Sequence, residues 1–316
     1  MKSMTITILG EGAWGTTLAS LLAHNGHQVT LWCHHPEIAT EIQTHRTNNR
    51  YMPDVALPNT MYATADMHEA LSNAELMYEA IPVQYLRSVV TRMREHIKQN
   101  IPWVITSKGI EQKTLMLPSE LITDTLGYIP PYAVCMGPSF ARDVIKKQNT
   151  GLVIAAKDTE LQKNVAASLT NDYIQCDFST DMHGLQLCAA FKNVIALLVG
   201  ISDGKGHGDN TRALLVTRCF EAMCSLITAA GGELKTVHSL GGFGDLFMTA
   251  SSTQSRNYMV GRALGAGESL KNVIERTGFT PEGINAACSI TLYADRYGVN
   301  LRDIMRDFTE LNNLTV

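Results

Sequence analysis

A chain of 316 residues is about twice the ~150-residue prior for one domain, so two domains are expected, each large enough for its own core. With 45% apolar and 18% charged residues, the composition excludes disordered and low-complexity classes. A formal charge of −4 supplies no global basic field, which removes electrostatic support for nucleic-acid or anionic-membrane binding.

In chain order, residues 4–9 predict a first strand, and Gly10-Glu11-Gly12-Ala13-Trp14-Gly15 follows it directly. Leu18, Leu21 and Leu22 mark the inner face of the next helix, Gly26 ends it, and residues 28–33 predict a second strand. Further strands are expected at 75–81, 101–106, 132–136 and 151–156. Alternation of short β-branched runs with helical patterns implies βαβ units and a parallel sheet. Three of these strands run into loops of special residues: Pro82, then Ser107-Lys108-Gly109, then Gly137-Pro138-Ser139. Ligands in open α/β sheets bind beyond the strands' carboxyl ends, so these loops are expected to converge. After about residue 180 long helical patterns take over, at 182–201, 211–230, 254–264 and 281–297. The expected organisation is a Rossmann-like parallel-sheet domain over 1–180 and an all-helical substrate-binding domain over 181–316.

The glycines of the first turn have separate tasks. Gly10 permits the tight turn, Gly12 admits the pyrophosphate to the backbone, and Gly15 lets helix and strand pack closely; the helix N-terminus supplies amide donors. This predicts a nicotinamide dinucleotide. The acid expected about 20 residues later, on the ribose 2′-hydroxyl, is missing, and Trp32-Cys33-His34-His35 stands there instead. NADPH is therefore allowed beside NADH and slightly favoured, with His34 either near a 2′-phosphate or an ordinary surface histidine.

Lys192 is the only formally charged residue across 182–202, with ten residues on either side before Asp181 or Asp203. A buried ammonium is costly unless paired, so this position suggests a purpose, although a lysine whose stem packs while its head reaches water is the plain alternative. Lys108 stands at a strand's carboxyl end, Gly241-Gly242-Phe243-Gly244-Asp245 reads as a flexible loop delivering a carboxylate, and Ser255-Arg256-Asn257 suits a phosphate or carboxylate.

Seven cysteines without a C-x-x-C pair predict free thiols in a reducing compartment, and ten histidines without H-x-x-x-H or H-E-x-x-H spacing give no sign of a metal site. Only Lys2 precedes the short apolar run at 6–9, and no run reaches ~18 uncharged apolar residues, so neither a secretory leader nor a membrane span is expected. A cytoplasmic protein follows.

Across nearly the whole chain, the blocks GEGAWGTTLA, TSKGIE, GPSFA, FKNVIAL, SDGKGHGDNTRA, GGFGDL, QSRN and PEG resemble, in order, the bacterial NAD(P)-dependent sn-glycerol-3-phosphate dehydrogenases. The resemblance implies reversible hydride transfer between glycerol 3-phosphate and dihydroxyacetone phosphate, with the product feeding glycerophospholipid synthesis. It makes Lys192 the catalytic proton acceptor, oriented by Asp245, with Lys108 polarising the carbonyl. Lys108, Gly137, Ser139, Asp245, Ser255, Arg256 and Asn257 match positions that contact substrate. Ala13, Trp14, His34, Ala141, Thr280 and Glu282 match positions that contact cofactor, and Lys108 and Arg256 touch both. A homodimer is implied as well. Tyr78-Glu79, in a strand that is usually apolar, and Val83 after Pro82 depart from the pattern. The rival readings are a β-hydroxyacid dehydrogenase of the same plan, acting on a substrate such as 6-phosphogluconate, and a dinucleotide sensor without turnover.

Overall fold

The structure is a computed structural model that describes residues 3–98, 100–277 and 282–306, with the side chains of Thr277 and Glu282 outside that description. Two compact units result. The first comprises the chain through Ser107 together with Pro118–Met182; the second comprises Lys108–Leu117 and the chain from His183 onward. A single cut near residue 180 misses this excursion, which carries Lys108 into the second unit.

In the first unit, eight strands form one sheet: β1 (Thr5–Leu9), β2 (Gln28–Trp32), β3 (Met61–Thr64), β4 (Leu76–Glu79), β5 (Trp103–Ile105), β6 (Tyr132–Met136), β7 (Thr150–Ala155) and β8 (Ile174–Ser179). Their order is β3-β2-β1-β4-β5-β6-β7-β8, with Leu9 opposite Trp32 on one side and Glu79 on the other. The chain reverses direction across the sheet between β1 and β4, the switch point at whose carboxyl ends α/β sheets bind ligands. All pairings are parallel except β6 with β7, so the expected parallel sheet is corrected to a mixed one. β6 and β7 are joined through residues 137–149, which include the short helix Ala141–Ile145. The strands β3 and β8 were not expected from sequence; the first has 4 residues, and the second is an edge strand with only Ile174 buried.

Among the described residues the second unit is helical, and its centre is the helix Met182–Gly204. By length and composition that helix is apolar enough to cross a membrane, Lys192 notwithstanding, but its most apolar 18-residue window is entirely buried inside the protein. A helix that is apolar all round needs neighbours on every side. Around it stand Asp209–Ala229, Arg256–Gly265 and Glu282–Arg296, and Leu187, Phe191, Ile195, Met223, Leu264 and Ile290 share one core.

Small residues set the crossing between Met182–Gly204 and Arg256–Gly265. A Cβ at Gly200 would lie 2.1 Å from the Tyr258 carbonyl oxygen and one at Gly204 2.2 Å from that of Arg262. Reciprocally, a Cβ at Gly261 would meet the Leu197 oxygen at 2.1 Å and one at Gly265 the Ile201 oxygen at 2.2 Å. The two backbones are therefore in contact, and nothing larger fits. Beside this crossing, Asp203 accepts from Arg212 Nε and Nη2 at 2.9 and 2.8 Å and from the Tyr258 hydroxyl at 2.7 Å, tying three helices together. This accounts for part of the SDGKGHGDNTRA block, and it holds the Ser255-Arg256-Asn257 segment in fixed register with the lysine's helix.

Gly261→Ala forces apart a contact that has no slack, so a loss of about 1–3 kcal/mol is expected, with a lower urea midpoint. Gly208→Ala, where an added Cβ meets nothing within 4 Å, should change stability by less than about 1 kcal/mol. Equal midpoints for the two variants would contradict the close-crossing account.

Candidate active site

The turn after β1 places its three glycines in three different backbone settings. Gly10 has φ +108°, and a Cβ there would sit 2.8 Å from the Ala80 oxygen; one at Gly15 would lie 1.9 Å from the Gly10 oxygen. At Gly12 a Cβ would meet nothing within 4 Å. Here the space above the turn is open to a ligand rather than filled by protein. The helix Ala13–His24 begins there with Gly12 as its N-cap, no side-chain cap and no acid in its first turn, so its leading amides face an anion site without competition from its own residues. These features fit a dinucleotide pyrophosphate. Trp14 is half-buried and packs against the core of this unit. Ala141 opens the helix Ala141–Ile145 and its carbonyl accepts from Thr17 Oγ1 at 3.4 Å. Gly137, whose Cβ would lie 2.6 Å from the Gly151 oxygen, ends β6 with Ser139 Oγ donating to its carbonyl at 3.0 Å.

The departure at Tyr78-Glu79 is resolved by partners distant in sequence. The Tyr78 hydroxyl is buried against Ser168 Oγ at 2.7 Å. Glu79, fully buried at the carboxyl end of β4, accepts from the Ile81 amide at 2.7 Å through Oε1 and from the Ser107 amide at 3.3 Å through Oε2. It thereby links the loops after β4 and β5, both at the crevice side of the sheet. Burial pushes its pKa up to about 7, partly offset by those amide donors.

In the helical unit, Lys192 is 6% exposed, so the reading of a lysine reaching water does not apply. Its Nζ donates to Asp245 Oδ1 at 2.7 Å and to Thr249 Oγ1 at 2.9 Å. Asp245 is fully buried, and its Oδ2 has no hydrogen-bond partner among the described residues. The GGFGD segment is corrected from a flexible loop to helix. Leu240–Gly244 forms a π-helical turn that continues into Asp245–Ser251, and a Cβ at Gly242 would lie 2.2 Å from the Val237 oxygen. Its glycines serve close packing. Such π turns re-aim a following side chain, here the carboxylate of Asp245. Thr249 was missed from sequence, although its place one helical turn after Asp245 is the signal that could have found it.

Ser255 is the N-cap of Arg256–Gly265, its Oγ accepting from the Tyr258 amide at 3.2 Å. Asn257 Oδ1 accepts from the Gly283 amide at 2.9 Å at the start of Glu282–Arg296. Arg256 lines a groove of about 350 Å³ together with Gln254, Met259, Arg262 and Arg276. Lys108 is half-buried at the head of Lys108–Leu117. Thr280 and the side chain of Glu282 lie outside the described residues. Among the described residues no group of three His, Cys, Asp or Glu side chains is placed to hold a metal.

Residues 5–162 match the family described as NAD-dependent glycerol-3-phosphate dehydrogenase N-terminus, and residues 181–311 match its C-terminus counterpart. The chain is 38% identical over 298 residues to glycerol-3-phosphate dehydrogenase, NAD(P)+, of Bacillus mycoides, covering 94% of this chain and 88% of that one. It is likewise 38% identical over 297 residues to the enzyme of that name from Halorhodospira halophila, covering 94% and 89%. The crystal structure of glycerol-3-phosphate dehydrogenase from Coxiella burnetii superposes with a TM-score of 0.94 at 32% identity, covering 98% of this chain and 95% of that one. The Saccharomyces cerevisiae enzyme, at 22% identity and a TM-score of 0.84 over 99% and 97% of the two chains, shares the fold.

Glu79 gives a pH test. Because its folded pKa lies near 7 rather than the ordinary 4.5, the folded state keeps a proton that the unfolded chain releases, and stability falls as pH rises through that window. Glu79→Gln removes the titration. Across pH 4.5 to 8 the wild type should lose stability relative to the variant, by roughly 3 kcal/mol at most. A difference independent of pH would show that Glu79 is ionised throughout.

Proposed function

We propose that this chain, which belongs to the NAD-dependent glycerol-3-phosphate dehydrogenase family, interconverts sn-glycerol 3-phosphate and dihydroxyacetone phosphate with NAD(P). The observation that carries this reading is the buried Lys192–Asp245–Thr249 group, which retains the acid–base machinery that a sensor without turnover would have no need to keep. The match of both halves to one family's N- and C-terminal descriptions favours glycerol phosphate over a β-hydroxyacid substrate.

Gly10, Gly12, Ala13, Trp14, Gly15, His34 and Ala141 of the first unit would hold the dinucleotide, with Arg256, Lys108, Thr280 and Glu282 as further contacts. When bound, the nicotinamide exchanges a hydride with C2 of the substrate. Lys192 takes the proton from the C2 oxygen in oxidation and returns it in reduction. Asp245 Oδ1 and Thr249 Oγ1 both accept from the ammonium and hold its direction. The unpartnered Oδ2 of Asp245 is an acceptor left for a substrate hydroxyl. In the reductive direction the ammonium groups of Lys192 and Lys108 polarise the carbonyl and stabilise charge developing on its oxygen.

Arg256 supplies the planar, permanently charged group suited to the phosphate, with Ser255 and Asn257 on either side of it in sequence. Remote phosphate binding then orients C2. Because Ser255 and Asn257 also cap and join helices, their loss would disturb the position of Arg256 as well.

A cytoplasmic location belongs to this reading and is supported by seven free cysteines. So does a homodimer, for which Phe243 and Phe247, both exposed and in aromatic contact, offer an apolar surface. Supply of glycerol 3-phosphate for glycerophospholipid synthesis is the corresponding role.

The test follows NADH and NADPH oxidation with dihydroxyacetone phosphate, in wild type, Lys192→Ala and Arg256→Ala. Wild type should turn over, Lys192→Ala should lose about 10²–10⁴-fold in kcat with cofactor affinity nearly unchanged, and Arg256→Ala should chiefly raise KM. Turnover only with a β-hydroxyacid, or none despite dinucleotide binding, would overturn the reading.

A further inference from the structure

The acid missing after β2 is supplied from the glycine turn. Glu11 stands between Gly10 and Gly12, and its side chain is only 6% exposed. Its Oε2 accepts from the His34 amide at 2.9 Å, and its Oε1 accepts from the His35 amide at 3.3 Å and lies 2.5 Å from His35 Nδ1. The backbone of Glu11 is fixed too, since Asn48 Nδ2 and Thr16 Oγ1 both donate to its carbonyl, at 2.8 and 2.9 Å. A carboxylate thus sits at the carboxyl end of β2, reached from β1 rather than encoded on β2 itself.

His34 and His35 join β2 to the helix Pro36–His45, and His35 is that helix's N-cap without a side-chain cap of its own. Two successive amides at a helix N-terminus form the kind of donor pair that binds phosphate. In this chain Glu11 already occupies both. A 2′-phosphate arriving there would find its donors engaged and a negative charge in their place, whereas a ribose 2′-hydroxyl would find the acceptor that the fingerprint normally provides at the end of β2. The groups near the end of β2 that could favour a phosphate are the exposed His34 ring, the His35 ring already engaged with Glu11, and Arg92, whose guanidinium lies 6.0 Å from the Trp32 ring centre. None of them occupies the two amides that Glu11 holds, and a histidine offsets a carboxylate only when protonated.

We propose that Glu11 is the residue that selects the coenzyme, favouring NADH over NADPH by holding its carboxylate on the His34 and His35 amides. This reverses the slight lean to NADPH, which rested on the absence of an acid after β2 and on His34 standing in its place. The selection rests on the dinucleotide reading of the first unit and deepens it.

The test is equilibrium binding, by tryptophan fluorescence or calorimetry, of NADH and NADPH to the full-length chain at pH 8, above the ordinary histidine range. Wild type should bind NADH at least about tenfold more tightly than NADPH. Glu11→Gln, which keeps the shape and removes the charge, should bring the two affinities within about threefold of each other, chiefly by tightening NADPH. Equal affinities or tighter NADPH binding in wild type overturns the proposal without recourse to any variant. So does a preference for NADH that survives in folded Glu11→Gln and Glu11→Ala. Failure of wild type to bind either dinucleotide overturns the underlying reading of the turn, a result distinct from loss of selectivity.

Discussion

The constraint on which the helical unit depends is that an ammonium inside an apolar helix must be matched by a carboxylate equally deep. Lys192 and Asp245 meet at 2.7 Å with side chains 7% and 1% exposed. Neither charge is tolerable alone there, since an isolated buried ion costs several kcal/mol even after relaxation. Much of the surrounding architecture fixes their relative position. The π-helical turn aims Asp245, Thr249 takes a second donor position on Nζ, and the glycine crossing at Gly200 and Gly261 locks the lysine's helix in register with the one that begins at Ser255. A buried pair of this sort is poor evidence for stability, and removing either partner alone would leave an uncompensated buried charge.

The first unit handles buried charge differently. Glu11 and Glu79 stand at the carboxyl ends of the adjacent strands β1 and β4, and each is held by backbone amides rather than by lysine or arginine. Amide donors satisfy the lone pairs without bringing in a long side chain that would crowd a ligand. The consequence differs between the two. Glu79 is fully buried and its pKa is pushed up to about 7, so it links the loops after β4 and β5 while sitting near its own titration point. Glu11 holds the His34 and His35 amides after β2, the place at which the proposed dinucleotide reading puts the adenosine ribose.

What was legible in the sequence was whatever depends on local pattern. The strand, turn and helix from Thr5 to His24 could be read because three glycines, a β-branched run and a leucine stripe all lie within one short window. Lys192 could be singled out because no other formally charged residue lies between Met182 and Ser202. What escaped depends on partners brought together by folding. Thr249 becomes a ligand of Lys192 only because Asp245 starts a helix, and Glu11 becomes the acid of the second strand only because its carboxylate reaches amides 23 and 24 residues on. Glycine misled at GGFGD, where the same residues that permit flexibility instead permit the backbone of Gly242 to touch that of Val237. The antiparallel pairing of β6 with β7 was invisible for a related reason: strand patterns carry no direction.

Whether Lys192 and Asp245 act as one catalytic unit is read from a double-mutant cycle in kcat/KM with dihydroxyacetone phosphate, using Lys192→Met, Asp245→Asn and the double variant. If the carboxylate works through the lysine, the double variant should be scarcely slower than Lys192→Met alone, a strongly non-additive cycle. Losses that multiply independently, in variants shown to be folded, would contradict the account and assign the two residues separate tasks.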